Sequence, residues 1–121
     1  MNLKYLLILA ILALGMAACG DDEEEPPMTT GCEIDGVTYT NDIASIINTN
    51  CTTATCHNDE DLANDFSLES FQQTMAAASF GNFLPAINHE AGFSRMPRGA
   101  DKLPQCDIDM ITAWIDADFP E

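Results

Sequence analysis

The sequence predicts a small all-α domain. Three stretches carry apolar residues at helical spacing: Ile43, Ile46 and Ile47; Leu68, Phe71, Met75 and Ala78; and Ile108, Ile111, Trp114 and Ile115. No segment alternates like a strand beyond a short entry at Val37-Thr38-Tyr39. Residues 37–121 are enough for one domain, and no internal repeat suggests a second.

In chain order, the first eighteen residues read as a leader rather than as fold. Lys4 gives a basic start, Leu6 to Leu14 is almost unbroken aliphatic sequence, and small residues follow up to Ala18. That run is too short and wrongly flanked for a spanning helix and matches a secretory signal. Its end, Met16-Ala17-Ala18-Cys19, resembles the lipobox of bacterial lipoproteins, which implies an acylated Cys19 at the mature N-terminus. An ordinary signal peptide cut nearby is the alternative. Gly20 to Pro27 then joins five consecutive acids to a double proline, which cannot bury apolar surface. Residues 19–36 are therefore expected to form a solvated tether. The acidic run is equally compatible with a plain spacer and with a surface-export signal.

The first helix is expected to open at Thr40-Asn41-Asp42, whose side-chain oxygens suit capping, and to fray over Asn48 to Asn50 just before Cys51. The second is expected to begin at Ser67, with Glu69 in its first turn, and to stop at Gly81. The third starts near Pro104, acceptable in a first turn because the missing N–H would have no partner there. Between the last two lies a Gly-, Pro- and Asn-rich stretch, Gly81 to Lys102, expected to be irregular apart from a turn around Ala86 to His89.

Charge narrows the partners. The chain has 20 acids against 4 Lys and Arg, a net of −16. Losing the leader removes Lys4 alone, leaving 20 acids against 3 bases, or −17. No basic stripe exists to neutralise phosphates, so nucleic acid is excluded as a partner. Such a charge favours solubility and steers a monomer toward basic docking patches on other proteins.

The chemistry lies in Cys51-Thr52-Thr53-Ala54-Thr55-Cys56-His57. Two thiols ending in an immediate Cys-His is the pattern of covalent haem c attachment, with the imidazole as an axial iron ligand. The usual motif has two residues between the cysteines, and this chain has four. The wider gap enlarges the loop without moving His57 relative to Cys56. A Cys51–Cys56 disulfide is the structural alternative, and a zinc site would lack a second close Cys/His pair. Candidates for the opposite face of the iron are Met28, Met75, Met96, Met110 and His89. Met96 sits in the irregular stretch before Pro97, which biases its backbone to an extended form. A thioether there would raise the potential; His89 would give bis-histidine ligation; neither would leave open iron. Arg95 and Arg98 flank Met96 and suit either haem propionates or plain surface solubility.

The CTTATCH segment at the end of a helix, the Arg95-Met96-Pro97 loop and the last helix with Trp114-Ile115 together resemble class I c-type cytochromes. They are similar in particular to the single-haem cytochrome c domains of bacterial lipoproteins. The likeness covers residues 37–121. It implies a cytochrome c-like fold of about three main helices around one haem, with His57 proximal and Met96 distal. It also implies crossed terminal helices, Ile43, Ile46 and Ile47 against Ile108, Ile111 and Ile115, with Trp114 near the ring. Cys32 and Cys106 then lie near the starts of the crossing segments, where a disulfide would join them. The implied function is single-electron carriage between redox proteins rather than catalysis. The implied place is outside the cytoplasm, lipid-anchored at the periplasmic face of a membrane, the outer membrane or the cell surface. A haem enzyme or gas sensor with open iron, and a haem-free, disulfide-stapled lipoprotein acting as a binding module, remain alternatives.

Overall fold

The computed structural model describes residues 31–121. The expected leader, lipidated Cys19, Met28 and the acidic run lie outside the described residues. Among the described residues there is no strand, and the domain is all-α. It has four α-helices, α1 (Ala44–Asn50), α2 (Phe71–Ala78), α3 (Phe83–Ile87) and α4 (Gln105–Asp116). None is long and apolar enough to cross a membrane.

The first helix starts earlier than its apolar pattern suggests. Thr38 is extended and caps the chain: its Oγ1 accepts from the Asn41 N–H at 3.3 Å, and its own N–H donates to Asp42 Oδ2 at 2.9 Å. Five residues, Tyr39–Ile43, then form a π-helical turn that runs directly into α1. Asp42 thus serves the cap from inside the helix instead of standing before it.

The second helix opens at Phe71, not at Ser67, because a stronger signal lies downstream. Ser70 Oγ accepts from the Gln73 N–H, and Gln73 Oε1 accepts from the Ser70 N–H at 2.9 Å, a reciprocal capping box. Leu68 is meanwhile held out of any helix, its N–H donating to the His57 carbonyl at 2.8 Å and its own carbonyl accepting from Thr74 Oγ1 at 3.0 Å. The helix ends at Ala78, ahead of Gly81.

The expected turn around Ala86 to His89 is displaced to α3, which begins at Phe83 despite Pro85. Pro85 falls in the first turn, where a helical N–H has no partner to lose. Pro104 caps α4 from outside.

The core lies between the first helical segment and α4. Ile43, Ile47, Ile108, Ile111 and Trp114 are almost fully buried, with Ile46, Leu68 and Ile87 packed beside them. Tyr39 joins this cluster, its ring 5.9 Å from that of Trp114 and 5.3 Å from that of Phe71. The chain after α4 turns back through left-handed Asp118 and Phe119. This brings the Pro120 carbonyl to accept from both the Tyr39 N–H and Trp114 Nε1, each at 2.9 Å. A disulfide links Cys32 to Cys106 at the start of α4, with Cα atoms 5.4 Å apart. The disulfide thus fixes Cys32, which the sequence places in the tether, to α4.

Candidate functional site

A cleft of about 630 Å³ opens between the chain after α1 and the segment around α3. Its floor and walls are mostly apolar, with Phe66, Leu68, Phe80, Phe83, Ile87 and Phe93 prominent. Cys51, His57, Met96 and Arg98 also line it. Its size and apolar lining with few polar groups match small-molecule and cofactor sites in general.

His57 is delivered by a tightly bonded loop. The α1 C-terminus hands the chain to Cys51, whose carbonyl accepts from the His57 N–H at 2.9 Å. Asn58 then organises the next turn: its Oδ1 accepts from the N–H groups of Glu60 and Asp61, and its Nδ2 donates to the Thr53 carbonyl and to Asp61 Oδ2. The Asp61 carboxylate also accepts from the Thr55 N–H at 2.6 Å, which holds Thr55 in a left-handed conformation. These partners, Asn58 first and the Thr55 N–H second, hold the Asp61 carboxyl below its ordinary value. Asp59 is lowered similarly, by the Ser67 hydroxyl and then Gln73. Because both values are depressed, the bonding of this loop is complete at neutral pH and is lost as pH falls through the lowered values.

The His57 ring is buried and stacks on Phe66, with centroids 4.0 Å apart and planes 20° from parallel. Its Nδ1 faces the Phe66 carbonyl oxygen at a long 3.4 Å. With the proton on Nδ1 donated to that oxygen, Nε2 keeps its lone pair. A main-chain carbonyl on one ring nitrogen is the usual arrangement for an imidazole that binds metal through the other. An imidazole, a thioether and one thiol in an apolar surround are donors suited to haem, short of the second thiol that haem c attachment uses.

The other expected site residues divide. Cys51 and Cys56 are both free thiols in the structure. Cys51 is on the cleft, and burial, aided by the proximity of Cys56, pushes its thiol up to about 11. Cys56 does not line the cleft; its Sγ accepts from Thr53 Oγ1 at 3.4 Å on the outer side of the loop. Arg98 reaches the cleft and Arg95 does not. Trp114, expected near the ring, does not line the cleft; it lies in the core between Tyr39, Phe71 and Phe119, its indole N–H donating to the Pro120 carbonyl. His89 lies off the cleft, its Nε2 donating to the Met96 carbonyl at 3.1 Å. Met75 packs against the core. Met110 does the same from α4. Among the described residues, no three His, Cys, Asp or Glu side chains gather as a metal cluster.

Sequence reasoning passes over Phe66, Phe80, Phe93 and Asn58. The N-D-E-D run after His57 is a recognisable Asx-turn signal and would have found Asn58. The three phenylalanines sit outside any periodic stripe, and nothing local marks them. No family model, curated protein or solved structure matches the chain.

Proposed function

We propose that residues 37–121 are a cytochrome c-like domain that holds one covalent haem c and carries single electrons between redox proteins. The observation that supports this most is the convergence of His57, Met96 and Cys51 on one apolar cleft. Residues far apart in the sequence bring to it an imidazole and a thioether, the two side chains that would hold a haem iron. His57 would be the proximal ligand, oriented by Phe66, and Met96 the distal one. Cys51 and Cys56 would form the thioethers, and Arg98 would pair with a propionate at the cleft. Attachment through Cys56 requires the Thr52 to Thr55 segment to rearrange. When bound, haem iron supplies a reversible one-electron couple. The chain's own part is to keep two ligands in place, exclude water with Phe66, Phe83 and Ile87, and offer weak, transient docking to basic partners.

Lipidation at Cys19, export, and residence at the periplasmic face of a membrane, the outer membrane or the cell surface belong to the same proposal. In an oxidising compartment the Cys32–Cys106 bond is expected to persist. A second reading, a haem-free binding module, draws on the position of Cys56 off the cleft. It predicts a colourless protein.

Two substitutions test the ligand assignment. His57→Ala is expected to abolish stable holoprotein. Met96→Ala is expected to leave haem attached, lower the midpoint potential and let carbon monoxide bind ferrous protein quickly. An unchanged spectrum and potential in Met96→Ala would remove Met96 from the iron.

A further inference from the structure

We propose that His89 is the positioning residue that clamps Met96 at the cleft. The inference deepens the ligand assignment above and rests on it.

The chain after α3 ends in a full Schellman motif. The Glu90 N–H donates to the Pro85 carbonyl at 2.9 Å, and the His89 N–H donates to the Ala86 carbonyl at 3.2 Å. The motif puts its C′ residue in the left-handed region, and here that residue is His89, at φ 58°. Glycine is the usual occupant, since a side chain there meets the steric cost of positive φ. Histidine tolerates this conformation better than most side chains, and here its imidazole also does work. That work is visible seven residues on: His89 Nε2–H donates to the Met96 carbonyl at 3.1 Å. The Met96 N–H donates to the Ala86 carbonyl, also at 3.1 Å. Both main-chain polar groups of Met96 are thus fastened to the same helix end, while its side chain lines the cleft. The remainder of the stretch from Gly92 to Lys102 has no regular structure, so this pair of bonds sets where the thioether begins.

The test is His89→Gly beside His89→Gln in the exported holoprotein. Glycine suits the left-handed backbone, so His89→Gly is expected to fold with an unchanged or higher Tm while losing the clamp. Its covalent haem should remain, its ferric sulfur-to-iron charge-transfer band should weaken, and imidazole should bind ferric protein about tenfold more tightly, the scale on which outer partners of metal ligands act. His89→Gln retains an amide donor and should restore the wild-type band. Hydrogen exchange at the Met96 amide should be faster in His89→Gly, whether or not haem is bound. An unchanged band, imidazole affinity and exchange rate in His89→Gly would overturn the proposal. So would a His89→Gln protein as impaired as His89→Gly, since a retained donor should recover the clamp. Wild-type protein lacking haem would sink the haem reading instead, and exchange at Met96 would still decide the clamp.

Discussion

Cys51 shows how strongly one side chain's setting can change its chemistry. Desolvation, with Cys56 nearby, raises its thiol from the ordinary 9.0 to about 11, so the folded chain keeps a proton that the unfolded chain gives up. Stability contributed by this group is therefore complete below the ordinary thiol value and declines as pH rises toward about 11. In protein expressed without haem-maturation machinery, iodoacetamide should modify Cys51 slowly at neutral pH, and the rate should climb only as pH nears the raised value. Equal rates in native and denatured protein near the ordinary thiol value would contradict this. At this scale the sequence was partly legible. His57 and Met96 announce themselves through Cys-His adjacency and through Pro97, and both reach the cleft. His89 stands out only as an alternative ligand, because a main-chain carbonyl partner leaves no mark in a side-chain pattern. For Cys56, spacing alone does not record whether the thiol lines the cleft.

The elements show where local signals compete. The apolar spacing of Leu68, Phe71, Met75 and Ala78 identifies the face of α2 correctly, yet it places the helix start at Ser67. Periodicity reports which side is buried, whereas the reciprocal Ser70–Gln73 cap decides where helical bonding begins. Ser70→Ala should therefore lower stability by about 1 kcal/mol, read by urea unfolding. No loss of stability in Ser70→Ala would restore the earlier start. The same competition hides α3, since Pro85 reads as a breaker until its place in the first turn is known. The last helix was the most legible, with four apolar positions in register and a proline just outside its start.

For the molecule as a whole, the all-α class follows from pattern and the Cys32–Cys106 pairing is among the sequence's expectations, but the closure through Pro120 is not. Pro120 joins the Tyr39 N–H to the Trp114 indole through a single carbonyl, and the Cys32–Cys106 bond ties the segment before Val37 to α4. Both are long-range constraints on a small core that gains much from staples. Replacing both cysteines with serine should cost about 2–4 kcal/mol in denaturant unfolding, with the helical circular-dichroism signal retained at low denaturant. A loss well under that range would assign most of the closure to Pro120. The remaining question is what fills the cleft that His57, Met96 and Cys51 share. Intact-mass spectrometry of the wild-type protein, exported with haem-maturation machinery present, answers it most directly. The account predicts the mass of processed polypeptide plus lipid plus one haem that survives denaturation; processed polypeptide plus lipid alone would contradict it.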